Sequence, residues 1–250
     1  MNLVLVDADE IGADGSVVLS DDRANHLRNV LQVAPGHLVR IGVLDGPLGS
    51  GTVTSMGGDG TIALRCALEA EVPPRPRIDL LLAVPRPKVM RRLWAQIAAL
   101  GVGRIILTNA EKVERNYFDT HILASETFRP LLIEGLQQAR DTRLPEVSIH
   151  RQFKILIEDR LDELFASGVR IVADPSAKES LGEVVRAGGR ERVLLAVGPE
   201  GGWNAYELGL LATHGFQTVG MGPRTLRTDT ACVALLALCG AALSGPRSRG

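Results

Sequence analysis

The sequence predicts an α/β protein in two parts, a small β-barrel domain followed by a larger domain built on a mostly parallel sheet. Three observations carry that expectation. Short runs rich in Val, Leu, Ile and Thr, punctuated by glycine, proline and aspartate, fill residues 1–72. From residue 78 onward, apolar strand-like runs alternate with amphipathic helical stretches. Between them lies Val72-Pro73-Pro74-Arg75-Pro76-Arg77, whose prolines can continue neither a helix nor a central strand.

In the first part, residues 1–72, strands are expected at Leu3–Val6, Ser16–Leu19, Leu38–Leu44, Gly51–Ser55 and Thr61–Leu68. Short strands at regular spacing suit a small barrel. One helix interrupts them. Asp21 or Asp22 can cap it, and Ala24, Leu27, Val30 and Leu31 recur at helical spacing. Its Arg23, His26 and Arg28 form either a solvated helix face or a phosphate-contacting patch. Residues 73–77 read as a stiff extended linker.

The second part is expected over residues 78–243. Ile78–Val84 is a continuous apolar run, as a strand buried on both faces requires. Lys88–Leu100 carries Val89, Leu93, Ile97 and Leu100 on one helical stripe and ends at Gly101. Strands follow at Arg104–Leu107, Glu146–Ile149 and Val169–Ala173, and helices at 122–140, 153–166 and 177–187. The stretch from Leu194 to Leu243 then reads strand, glycine loop, helix, strand, glycine loop, helix. Its last helix is apolar on all sides, through Ala231, Val233, Ala234, Leu235, Leu236, Ala237 and Leu238. Such a helix must be buried, in its own chain or against a second copy, and a homodimer is expected. The run is too short to cross a bilayer, which takes about 20 residues. The tail, residues 244–250, is expected to fray.

Composition narrows the function. Lys plus Arg number 28 and Asp plus Glu 29, so no global basic field marks a nucleic-acid binder, and any such binding must use local patches. Cys66, Cys232 and Cys239 fit no zinc spacing and read as small buried thiols. No cluster of Cys, His and Asp has metal-ligand spacing, so no metal is expected. No basic region followed by a long apolar run opens the chain, and a cytoplasmic protein with no membrane partner is expected.

The two glycine loops are Gly198-Pro199-Glu200-Gly201-Gly202 and Gly220-Met221-Gly222-Pro223-Arg224. Each leaves the end of an apolar strand, which is what a ligand cleft at the carboxyl edge of a parallel sheet needs. Neither is a P-loop or the dinucleotide fingerprint. Around them stand Glu200, Arg224, Arg227, Asp229 and Thr230. That inventory suits a reaction that needs positioning more than covalent chemistry, such as methyl transfer from a sulfonium donor. Asp229 and Thr230 enter the final helix, where capping and ligand placement are compatible. Arg224 and Arg227 suit phosphate and base contacts. A catalytically silent RNA-binding protein and a nucleotide-binding enzyme are the competing classes, and the absence of lysine after Gly198 counts against the latter.

VGPEGGWNAYE (Val197–Glu207) and MGPRTLRTDTA (Met221–Ala231) resemble the paired motifs of the ribosomal small-subunit methyltransferase E family, of the SPOUT superfamily. Asn25–Leu31 resembles its N-terminal motif, Lys88 with Ala99–Ile105 its first helix, and Gln137–Arg140 with Leu144–Val147 its central helix end. The resemblance implies a PUA-like barrel, a trefoil-knotted α/β domain and a homodimer. It implies S-adenosylmethionine as methyl donor, and N3 of one uridine near the 3′ end of 16S ribosomal RNA, within the small subunit, as target. Other SPOUT enzymes act on transfer RNA, which is the alternative substrate. The implied cofactor residues are Val197, Gly198, Pro199, Gly201, Gly202, Met221, Gly222, Leu226, Arg227 and Thr230. The implied catalytic set is Arg227, Glu200 and Asp229, with Arg227 preferred as stabiliser of developing charge and the base left open. Arg23, His26, Arg28, Lys88, Arg140 and Arg224 are the implied RNA contacts. The sequence departs from the family pattern at Asp229, where Glu is usual, at Gln32 for Arg, and at Thr225 for Ile or Val.

Overall fold

The computed structural model describes residues 3–189, 191–222 and 224–244. Pro223 of the second loop, and the expected tail beyond Ser244, lie outside the described residues. The chain divides into two compact units, one of residues 1–75 with 133–144, the other of residues 76–132 with 145–250.

The first unit holds β1 (Val4–Val6), β2 (Ser16–Leu19), α1 (Asp22–Asn29), β3 (Leu38–Val43), β4 (Leu48–Met56) and β5 (Ile62–Leu68). The strands form one sheet in the order β1-β3-β4-β5-β2, with β1 parallel to β3 and the other pairs antiparallel. Among the described residues no ladder joins β1 to β2, so hydrogen bonding does not close the expected barrel. The connection from β1 runs into a 3-10 turn, Ala8–Glu10, in place of a longer strand that could reach β2. Helix α1 starts where Asp21 accepts a hydrogen bond from Arg23 N. It seats Ala24 and Leu27 in a core with Val4, Leu19, Ile41 and Ile62. The unit also contains a distant segment. Thr142 is fully buried there. Its Oγ1 donates to the Gly46 carbonyl at 2.7 Å, and its own carbonyl accepts from Asp45 N at 2.8 Å.

The second unit has six strands, β6 (Ile78–Ala83), β7 (Val102–Thr108), β8 (Glu146–His150), β9 (Val169–Ala173), β10 (Val193–Val197) and β11 (Phe216–Val219). They form an all-parallel sheet in the order β11-β9-β10-β6-β7-β8. β6 and β10 lie side by side in the middle and are buried along their whole length, as their sequences, apolar except for Asp79, require. From β6 the chain steps outward through β7 to β8, whereas β9 and β11 lie beyond β10. Strand order therefore switches at the sheet centre, and β9, β10 and β11 end together on one side of that switch.

The helices are α2 (Pro87–Ala99), α3 (Ser125–Ala139), α4 (Phe153–Ile155), α5 (Leu161–Leu164), α6 (Leu181–Ala187), α7 (Ala205–Thr213) and α8 (Thr228–Ser244). The helix expected over 153–166 is split by a π-helical turn at Leu156–Arg160. The helix expected from residue 177 starts later, because Ser180 is extended and pairs with Gly220 in a parallel bridge, so the helix begins only after it. After the edge strand β11, α8 returns to pack against α6, α2, β10 and β6. Buried on β6, Asp79 accepts from Arg192 Nη2 at both carboxylate oxygens, each at 2.7 Å.

Candidate active site

A cavity of about 340 Å³ opens at the carboxyl ends of β9, β10 and β11. The first glycine loop supplies one wall, from Val197 through Gly198, Pro199, Glu200, Gly201 and Gly202 to Trp203. The second loop supplies the opposite wall with Gly220, Met221, Gly222, Arg224 and Leu226. Ala173 at the end of β9, Asp174 and Pro175 just past it, and Thr228, Ala231 and Leu235 of α8 complete it. Arg227, Asp229 and Thr230 do not line the cavity, although they alternate with or follow residues that do.

The loops need their glycines for different reasons. A Cβ on Gly198 would come within 3.1 Å of the Trp203 indole, a contact tight enough that the indole would have to shift to admit a side chain. Gly222 has φ +117°, a conformation that L-residues rarely adopt. Trp203 packs on Phe153 with ring centroids 5.3 Å apart, and its Nε1 is buried without a hydrogen-bond partner among the described residues.

The two carboxylates singled out by sequence both end at α2. Glu200 Oε1 accepts from Arg86 N, the residue that caps α2, at 3.1 Å. Asp229, in the first turn of α8, pairs with the Arg92 guanidinium of α2 at 2.7 Å. That guanidinium, helped by the Thr230 N–H, holds the Asp229 carboxyl below the usual carboxylate range. A carboxylate held in that way is a poor proton acceptor. Burial pushes the Cys232 and Cys239 thiols up to about 12, which leaves them inert at neutral pH. The described residues contain no metal-binding cluster.

The expected RNA contacts fall in both units. Lys88 on α2 and Arg224 in the second loop are exposed, as is Arg140 in the first unit, held at φ +59° just past α3. His26 is half-buried. Arg28 donates to the Gly57 carbonyl at 2.7 Å. Arg23 requires a correction. Its guanidinium is engaged by Glu10 at 2.5 Å, Asp21 at 2.7 Å and the Leu5 carbonyl at 2.8 Å, and its side chain is 18% exposed. It ties β1 to the start of α1 and has no donor left over for a phosphate.

Sequence reasoning missed Asp174, Trp203, Glu207, Arg92 and Lys112. Only Glu207 carried a legible signal, the Asn204-x-x-Glu207 capping box that starts α7.

The cavity fits an adenosine-type cofactor. Glycine-loop backbone gives close approach, Val197, Leu226 and Leu235 give an apolar wall, and Asp174, Glu200 and Arg224 are the charged residues of the lining. The fold and the site together define a methyltransferase-type α/β protein, and comparison with known proteins agrees. A family model described as an RNA methyltransferase domain matches residues 73–240. The ribosomal RNA small subunit methyltransferase E of Treponema pallidum is 32% identical over 242 residues, covering 95% of this chain and 90% of that protein. Its counterpart in Borreliella burgdorferi, methyltransferase E 1, is 25% identical, with 94% and 95% covered. The chain belongs to the ribosomal RNA small subunit methyltransferase E family. Among solved structures, the Neisseria gonorrhoeae methyltransferase E bound to S-adenosylmethionine matches with a TM-score of 0.75 at 21% identity, covering 95% of each chain. A putative Legionella pneumophila methyltransferase, also with bound S-adenosylmethionine, gives 0.76 at 21% identity, covering 96% and 97%. At that identity these two establish the shared fold.

Proposed function

We propose that this protein is an S-adenosylmethionine-dependent methyltransferase of small-subunit ribosomal RNA, acting on N3 of one uridine near the 3′ end of the 16S molecule. The observation that carries the reading is the convergence of both glycine loops on one cavity at the carboxyl ends of β9, β10 and β11. Bound in it, S-adenosylmethionine supplies a methyl group already activated on a sulfonium. The loops then have to hold donor and acceptor in line, and positioning of this kind supplies roughly 7–11 kcal/mol.

Arg227 lies between two lining residues, Leu226 and Thr228, and is exposed. It is the proposed stabiliser of the negative charge that grows on the uracil oxygens as the N3 proton leaves. Glu200 and Asp229 belong to the site as braces that fasten the two loops to α2. Lys88 and Arg224 are the proposed phosphate contacts of the second unit, and His26, Arg28 and Arg140 those of the first.

The finer architecture follows the same reading. Residues 1–72 make up a PUA-like RNA-binding domain whose five-stranded sheet stays open between β1 and β2, 73–77 a linker, and 78–243 a SPOUT domain in which the return of α8 to the sheet centre completes a trefoil knot. The protein works in the cytoplasm as a homodimer. The dimer uses the apolar side of α8 left uncovered at Ala237, Leu238 and Ala241, where Leu238 is 43% exposed.

Incubation with methyl-labelled S-adenosylmethionine and, separately, unmethylated small subunits, bare 16S RNA and bulk transfer RNA tests the reading. Label is expected in small-subunit RNA; label in transfer RNA alone moves the substrate, and tight donor binding with no label anywhere makes the protein a silent binder. Arg227→Ala is expected to lower kcat about 10²–10³-fold. Unchanged turnover with weaker RNA affinity would remove Arg227 from the chemistry.

A further inference from the structure

Lys112 follows β7, outside both glycine-loop motifs. Its Nζ donates to the Gly201 carbonyl at 2.7 Å. Its stem crosses the loop so closely that a Cβ on Gly201 would lie 2.7 Å from Lys112 Cδ. The neighbouring Glu111 N donates to Glu207 Oε1 at 2.7 Å, while Glu207 Oε2 accepts from Asn204 N at 2.8 Å. Glu207 is 3% exposed, so a buried carboxyl bridges two segments through backbone N–H groups alone. Burying such a group is costly unless both oxygens are bonded, as they are here.

These contacts bracket the first glycine loop, Lys112 at Gly201 and Glu207 just beyond Trp203. We propose that Lys112 is a positioning residue for the cofactor loop and that, with Glu207, it presets Gly198–Gly202 before the donor arrives; the proposal rests on the cofactor reading above. A loop this rich in glycine loses much conformational freedom on ordering, and a brace that orders it beforehand removes that loss from the binding step. At Gly201 a side chain would have to displace the lysine stem, whereas Gly202 has φ +69°.

Lys112 is exposed, so its replacement leaves the core intact. Lys112→Met keeps the stem and deletes the donor, and Lys112→Arg keeps a donor. Hydrogen exchange on the ligand-free full chain reads the loop directly, because Gly202 N–H donates to the Pro199 carbonyl at 2.8 Å. In Lys112→Met, amide exchange over 200–203 is expected to rise about tenfold, and KM for S-adenosylmethionine about tenfold, with kcat within about twofold. Lys112→Arg should restore both. Unchanged exchange overturns the brace, and so does a rise confined to the KM for RNA, which would make Lys112 a phosphate contact. A wild-type protein that binds no donor overturns the underlying cofactor reading instead. The exchange measurement, which needs no donor, tells the two failures apart.

Discussion

Arg86 N and the Arg92 guanidinium take up the carboxyls of Glu200 and Asp229, and this decides what those residues can do. A hydrogen-bond acceptor at the start of α2 needs an oxygen there and no ionisable group. Glu200→Gln is therefore expected to keep its rate within about threefold in steady-state methyl transfer, whereas loss of a general base costs about 10²–10⁴. For Asp229 the sign follows from its depressed pKa. Its contribution to stability is present above the ordinary carboxylate value and lost as pH falls through the lower folded-state value. Urea midpoints of wild type and Asp229→Asn should differ by a constant, small amount at neutral pH, under about 1 kcal/mol for so exposed a pair, and converge only below about pH 4. The pH–rate limb near neutrality should stay in place in Asp229→Asn. Residue types at the site were legible in the sequence, as Glu200, Arg227 and Asp229 illustrate. Their partners were not, because Arg92 lies far from Asp229 in sequence and only packing brings them together. The same holds for Arg23, whose basic neighbours suggested a phosphate patch while its acidic partners, Glu10 and Asp21, lay in plain view without a geometry.

At the scale of the element, the glycine loops work because strands β9, β10 and β11 end together and each loop adopts a backbone that side chains oppose. Gly222→Ala forces φ +117° on an L-residue, at a cost of about 1–3 kcal/mol. Donor affinity by calorimetry is expected to fall at least about tenfold, with the melting temperature moving by only a few degrees. Full affinity in that variant would mean that the second loop does not shape the cavity. Strand and helix order in both units was readable, since buried parallel strands write themselves as apolar runs, unbroken in β10 and interrupted only by Asp79 in β6. Two element boundaries were not. The π turn at Leu156–Arg160 keeps the apolar spacing of a helix, and the delayed start of α6 depends on the bridge from Ser180 to Gly220, a long-range pairing. The open five-stranded sheet likewise turns on which strands pair, while spacing alone suited a barrel.

At the scale of the whole molecule, α8 links stability, assembly and function. Its Cys232, Leu235, Leu236 and Cys239 are buried in the second unit, and Ala237, Leu238 and Ala241 face out. Leu238→Asp should yield a folded monomer by sedimentation, with a circular dichroism spectrum like that of wild type; an unchanged dimer would move the interface elsewhere. The inclusion of residues 133–144 in the first unit could not be read from the chain, because Thr142 and Gly46 meet only in three dimensions. The central claim is that the two-loop cavity directs a methyl group to N3 of one uridine in small-subunit RNA. The most direct test is to digest small-subunit RNA methylated by the purified protein and to identify the modified nucleoside and its position by mass spectrometry. One methyl on N3 of a single uridine near the 3′ end is the predicted result. A methyl on a ribose, on another base, or scattered over many positions would contradict it.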